Sequence, residues 1–341
     1  MNMQIDLTKH ILLFENCQLV KGMAQTLLVD FQRRNLEFLE NTIFDIFISK
    51  NRDKNIGEIL NDFDFETQRN ILEYFDFLLE NEYAFLCDKS EVEFFPKINS
   101  EWNNPADITN CIIDFKEKPN SLQAYKNLIF DLDSLGCENI QIRVFNDISI
   151  EFVEEFLSLF ENTIIFRIDL LLKCSQNVTF YKKFIDKFPR IKELIVHSAR
   201  INKFYNIQHQ RMIFLEKEIK DESCCGIISP NHFNLRLEHF LESQQYNTCL
   251  NRKVCIDVKG NIKNCSALKN SFGNISVVRI VEVVNTEEFQ KIWQISKNKI
   301  KTCQDCEFRH ICTDCRAFLH SDYSLDKPQK CNYFPYENEL L

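Results

Sequence analysis

Along the first hundred residues apolar positions recur at helical spacing over 70–80, and two short apolar runs follow at 83–87 and 92–96. Further helices are expected at about 24–40 and 56–61. Helices leading into two short β segments outline a small winged-helix-like unit over residues 1–100. Such units bind nucleic acid when they are basic. This one is rich in Asp and Glu, so it reads instead as a peptide-recognition unit that adds a strand to an exposed edge, or as a structural cap.

From residue 102 to about 199 the pattern changes to apolar runs alternating with amphipathic stretches. Strands are predicted at 111–115, 140–145, 163–170 and 192–197, and helices at 121–135, 150–160 and 178–188. Ser121 is placed to cap the first of these helices and Gly136 to stop it. Residues 224–228 add a further strand. Strands separated by helices form parallel sheets, which makes the fold class α/β, with a partial (β/α) barrel over residues 101–245. In a parallel barrel the strands' carboxyl ends form the working face, which would bring Asp114, Asp147, Asp169 and His197 to one rim. Such residues at strand ends more often cap helices or face solvent, so they are weak candidates for chemistry.

The chain has 341 residues, 45% apolar and 27% charged, enough for two or three packed domains. Its six glycines leave little material for nucleotide-binding loops, and neither GxGxxG nor GxxxxGK[ST] occurs. The net charge of -9, with no dense Lys/Arg block, argues against nucleic acid as a partner. The opening Met1-Asn2-Met3-Gln4-Ile5-Asp6 has neither the basic start nor the apolar stretch of a signal peptide. No run approaches the roughly 18 apolar residues of a membrane span. A cytoplasmic location is the expectation, with no membrane partner.

Fifteen cysteines in a reducing compartment favour metal ligation over disulfides. Eight of them crowd residues 249–331: Cys249, Cys255 and Cys265, then Cys303, Cys306, Cys312 and Cys315 in one string, then Cys331. A C-x2-C pair brings two thiolates from one turn to the same ion or cluster, and a second pair after it supplies two more. Eight thiols suit two four-cysteine sites. Residues 254–265 read as a hairpin turning at Gly260-Asn261, which holds Cys255 and Cys265 near each other. Cys17, Cys87, Cys111, Cys137 and Cys174 stand in apolar settings and read as buried structural thiols; the vicinal Cys224 and Cys225 are also assigned to packing. Spacing alone admits zinc as readily as iron-sulfur clusters.

The run of Cys249, Gly260-x4-Cys265, Phe272-Gly273-Asn274-Ile275, Cys303-x2-Cys306-x5-Cys312 and Cys331 resembles the SPASM domain, the auxiliary iron-sulfur module that follows the barrel of peptide-modifying radical SAM enzymes. Residues 249–253 and 306–316 further resemble the SPASM-domain peptide maturase of grasp-with-spasm systems. The likeness is specific over 224–331 and looser upstream. It implies a radical SAM type of barrel, a SPASM domain over 246–341, and two [4Fe-4S] clusters. Carried over, Cys249, Cys255, Cys265 and Cys315 hold one cluster, and Cys303, Cys306, Cys312 and Cys331 the other. The partners implied are a ribosomally made precursor peptide and an ATP-grasp ligase.

Two departures from the family pattern stand out. Only two residues separate Cys312 from Cys315, where the usual module has three, which unsettles the place of Cys315. The C-x3-C-x2-C motif that holds the SAM-cleaving cluster is absent, and Lys116-Glu117-Lys118-Pro119-Asn120-Ser121 follows the first predicted barrel strand without a cysteine. Reductive cleavage of SAM by the usual route therefore lacks its ligands, and no catalytic residue is assigned. The functional expectation is an iron-sulfur protein of peptide maturation. A redox enzyme acting on a peptide and a zinc-stabilised interaction protein are the alternatives.

Overall fold

The computed structural model describes residues 5–48, 50–321, 325–337 and 339–340. Residues 1–4, part of the opening stretch read above for a leader, lie outside them. The N-terminal unit begins with β1 (His10–Leu13), β2 (Cys17–Lys21), β3 (Thr26–Asp30) and β4 (Asn35–Leu39). Helices α1 (Asn41–Ile48), α2 (Ile56–Leu60) and α3 (Phe65–Glu80) follow, and β5 (Ala84–Cys87) returns to pair antiparallel with β1. Strands β2, β3 and β4 form an antiparallel meander.

The two later helices form where expected, and the reason is local. Asn55 and Glu58 form a reciprocal capping box at α2, and the Asp64 carboxylate accepts the Glu66 and Thr67 N–H groups at α3.

The helix expected at about 24–40 is instead β3 and β4, and the run at 92–96 falls at the end of a 3-10 turn over Lys89–Phe94. The unit therefore carries a meander where its outline had a helix. All five residues of β3 are buried because both faces of the strand are covered. Leu28 packs towards Ile43, Ile71 and Phe75, while Leu27 and Val29 pack against Phe240 and Ile311. A strand buried on both sides shows a continuous apolar run, which resembles a buried helix in sequence.

The second unit follows the alternation. Strands β6 (Asn110–Phe115), β7 (Asn139–Val144), β8 (Arg167–Lys173) and β9 (Ile191–His197) alternate with α4 (Gln123–Ser134), α5 (Ile150–Ser158) and α6 (Val178–Lys187). Ser149 and Asn177 cap α5 and α6, and Gly136, at φ +78°, ends the turn after α4. A hairpin of β10 (Lys203–Ile207) and β11 (Gln210–Phe214) comes next, then α7 (Leu237–Gln245), β12 (Lys253–Ile256) and β13 (Ile262–Lys263).

These strands make one eight-stranded sheet in the order β10-β11-β9-β8-β7-β6-β12-β13. Its six inner strands are parallel and its two edge strands antiparallel, so the sheet is mostly parallel and open. The strand expected at 224–228 does not form; a 3-10 turn over Glu222–Cys224 leads into irregular chain. The β10–β11 hairpin, which had no counterpart in the expectation, supplies the edge instead. The strand expected at 163–170 begins at Arg167.

Successive parallel neighbours joined by right-handed crossovers place their helices on one face of the sheet. Cys111, Ile113, Phe115, Ile140, Ile142 and Val144 belong to the core on that side, where Phe115 meets Tyr125, Phe152 and Phe156. Alternation puts Lys253, Cys255, Asp114 and Arg143 on the opposite face. That polar face receives the cysteine-rich segment.

Candidate iron-sulfur site

Strand β12 runs parallel to β6 with Cys255 beside Ile112, and its hairpin partner β13 sets Lys263 opposite Cys255. Cys265 lies two residues beyond Lys263, so the hairpin brings the two thiols together as its sequence suggested. The turn is built around Asp257, whose carboxylate accepts the Lys259 and Asn261 N–H groups, both at 2.9 Å. Gly260 takes φ +80° there, a conformation that favours glycine.

A first group of thiols gathers about Lys253. Its ammonium lies 3.8 Å from the Cys249 sulfur and within electrostatic reach of Cys255, Cys265 and Cys225. Cys315 interacts with Cys249. Burial pushes the Cys265 thiol up to about 11 and raises Cys255 and Cys315 as well.

A second group forms around Lys297, a buried lysine whose ammonium lies 3.4 Å from the Cys312 sulfur. Burial opposes that positive charge, but Cys312, Asp314 and Cys303 outweigh it and keep the lysine protonated. Cys303 and Cys306 both interact with Cys312, and Cys312 with Cys331. Burial pushes Cys303 up to about 11 and raises Cys306 and Cys312. The local turns have plain causes: Cys306 N–H donates to the Cys303 carbonyl at 3.1 Å, and Cys312 N–H to the Phe308 carbonyl at 3.0 Å.

Thiols from the eight singled out in sequence thus gather about two lysines, Lys253 and Lys297. Among the described residues no three His, Cys, Asp or Glu side chains converge into a ready-made site for a single metal ion. The donor set nevertheless fits iron-sulfur clusters. The soft thiols are buried at Cys255, Cys303, Cys312 and Cys315 and half-buried at the other four, and a cation faces each group, as bound thiolates of net negative charge require. Thiols kept protonated by burial become ligands only by releasing their protons to solvent on binding, so loading is coupled to pH.

The meander of the N-terminal unit covers the second group. Met23 N–H donates to the Asp305 carbonyl at 2.8 Å, Arg309 donates to the Lys21 carbonyl at 2.6 Å, and Gln25 donates to Glu307 at 2.9 Å. Phe38 and Phe308 meet edge to face at 5.9 Å. The role of this unit as a lid on the cysteine string was not legible in its sequence.

The four rim candidates do not form a site. Asp114 is buried and accepts two hydrogen bonds from Arg143, at 2.6 and 2.7 Å. Asp147 pairs with Lys173 at 3.4 Å on the surface. Asp169 sits near the amino end of β8, not its carboxyl end, and pairs with Arg167 at 3.1 Å. His197 is fully buried; its Nδ1 accepts the Ile219 N–H at 3.2 Å, which leaves Nε2 to donate to the Val144 carbonyl at 3.4 Å. It is a packed histidine. Residues 116–121 after β6 carry no thiol.

Cys17, Cys87, Cys111 and Cys137 are buried, and burial pushes the Cys17 and Cys137 thiols up to about 12. Cys174 is half-buried. Cys225 is different. Arg143 Nη1 donates to its sulfur at 2.9 Å, and a hydrogen bond from Cys224, aided by the charges of Arg143 and Lys253, holds its thiol below the usual cysteine range. Packing was the expected role for this residue, and Arg143 and Lys253 had none assigned. The signal for Arg143 was a charged residue amid the apolar positions of β7.

No curated protein matches the chain. Residues 248–307 match the SPASM family, described as an iron-sulfur cluster-binding domain, and this span includes Cys249, Cys255, Cys265, Cys303 and Cys306. The chain therefore carries a SPASM domain, a module that binds iron-sulfur clusters, packed against the open, polar face of a mostly parallel α/β sheet.

Proposed function

We propose that the chain is an iron-sulfur protein of ribosomal peptide maturation, holding two [4Fe-4S] clusters and working beside an ATP-grasp ligase on a precursor peptide. Cys249, Cys255 and Cys265 with a fourth thiol hold one cluster, and Cys303, Cys306, Cys312 and Cys331 the other. The observation that supports this reading is the gathering of the thiols into two groups, four of the eight buried and four half-buried, each faced by a lysine. Bound clusters would supply electron transfer and would lock together stretches of chain that are distant in sequence.

A peptide-holding role for the N-terminal unit is supported by a cavity of about 500 Å³ lined by Phe14, Phe47, Phe85, Phe94 and Phe95 among others. Phe94 and Phe95 are exposed beside it. Among the described residues no helix is long and apolar enough to cross a membrane.

Anaerobic preparation followed by metal analysis tests the cluster reading. About eight irons with matching sulfide per chain and broad visible charge-transfer absorption are expected. About two zincs and no colour would replace the reading with a zinc-stabilised interaction protein. For the peptide arm, a short peptide encoded beside this gene and an ATP-grasp ligase should bind the loaded protein. Phe94→Asp should weaken that binding at least tenfold, and unchanged binding would remove the cavity from the proposal.

A further inference from the structure

We infer that Cys225 is a ligand of the first cluster, taking the fourth position that the family resemblance had implied for Cys315. The inference rests on the iron-sulfur reading above and adds a residue outside the matched SPASM span. The Lys253 ammonium lies 3.8 Å from the Cys249 sulfur and feels the charges of Cys255, Cys265 and Cys225, and Arg143 bonds both the Cys225 sulfur and Ser266, the residue after Cys265.

The Cys225 sulfur is held from several directions. Arg143 Nη1 donates to it at 2.9 Å, while the same guanidinium is anchored by two bonds to Asp114 and one to Ser266 at 3.1 Å. Lys330, the residue before Cys331, donates to the carbonyls of Ser223 and Cys225, both at 2.6 Å, and so ties this segment to the end of the cysteine domain. A buried guanidinium anchored on three sides is a rigid guide for a thiolate.

Glycine at 226 is needed for the same approach. Its φ is +80°, and a Cβ there would stand 2.9 Å from the Cys315 sulfur and 2.9 Å from the Phe318 ring. The segment that presents Cys225 thus presses directly on Cys315. A five-thiol neighbourhood results, in which four bind and one is displaced. On binding, the Cys225 thiol gives its proton to solvent as the sulfur–iron bond forms, with no change of oxidation state. The two-residue gap between Cys312 and Cys315, one shorter than the usual module, agrees with Cys315 being the displaced member.

The test compares Cys225→Ala, Cys315→Ala and Cys224→Ala in the full-length, anaerobically loaded protein, by iron and sulfide content and by the electron paramagnetic resonance of the reduced state. Cys225→Ala should lose about half of the iron and one of two signals, with Cys224→Ala and Cys315→Ala close to the parent. Should Cys225→Ala keep the parent's iron and spectrum while Cys315→Ala loses half, the assignment is overturned. A parent that binds no iron at all overturns the cluster reading and this inference together, and is told apart by that control. Thiol alkylation of the unmutated protein gives an answer independent of folding defects. Cys225 should be protected when loaded and modified after chelation; labelling in the loaded state as fast as Cys174 refutes its ligation.

Discussion

The Asp114–Arg143 pair is the foundation of the first thiol group, and removing the carboxylate's charge should be costly. Both side chains are almost fully buried, at 1% and 5% exposure, and the carboxylate takes two of the guanidinium's bonds at 2.6 and 2.7 Å. Asp114→Asn preserves the shape, but its amide nitrogen would face an Arg143 N–H, turning one bond into a donor–donor clash and leaving a buried cation poorly compensated. Breaking a buried pair from one side costs about 3–5 kcal/mol. With a urea dependence of about 3 kcal/mol/M, the unfolding midpoint should fall by about 1 M or more. The two tryptophans, Trp102 and Trp293, provide the fluorescence signal for the titration. The double variant Asp114→Leu/Arg143→Met removes both charges and should recover most of that loss, since neither charge is then stranded. Stability lost by less than about 1 kcal/mol in Asp114→Asn, or strictly additive losses in the pair, would show that the ion pair does not support the sheet in this way.

Other consequences can be measured separately. Gly226→Ala places a methyl against the Cys315 sulfur and the Phe318 ring in a left-handed conformation, and should destabilise by about 1–3 kcal/mol, read as a lower unfolding midpoint with reduced iron retention. Phe75→Ala empties a fully buried position in the N-terminal core and should cost about 3–5 kcal/mol by denaturant titration, while iron content is retained. His197 is held neutral, its pKa lowered by burial, so the unfolded chain binds a proton that the native chain resists. Its contribution is complete above the unfolded value of about 6.5 and is lost as pH falls below it, by at most about 1.4 kcal/mol per pH unit. His197→Asn should flatten the decline in stability between pH 7 and 5, and an unchanged slope would refute the assignment. Stripping the metal should expose 246–331 to protease while leaving β6 to β9 resistant, because the cysteine segment has only short elements of its own.

The sequence by itself determined the alternating strands and helices of the second unit, because amphipathic helices capped by Ser149 and Asn177 advertise their own limits. It also determined the Cys255–Cys265 hairpin, whose turn chemistry is written in Asp257 and Gly260, and the crowd of thiols that marks the SPASM span. Local spacing and local hydrogen bonds are sufficient for such features. Tertiary structure alone decided the rest. Whether 24–40 was helix or meander depended on Phe240 and Ile311 arriving from the far end of the chain to cover the second face of β3. The gathering of thiols into two groups, and the bond from Arg143 to the Cys225 sulfur, depend on contacts between residues such as 143 and 225, which no local pattern couples. Burial and long-range electrostatics act through space, so only the folded arrangement fixes which cysteines face the same cation.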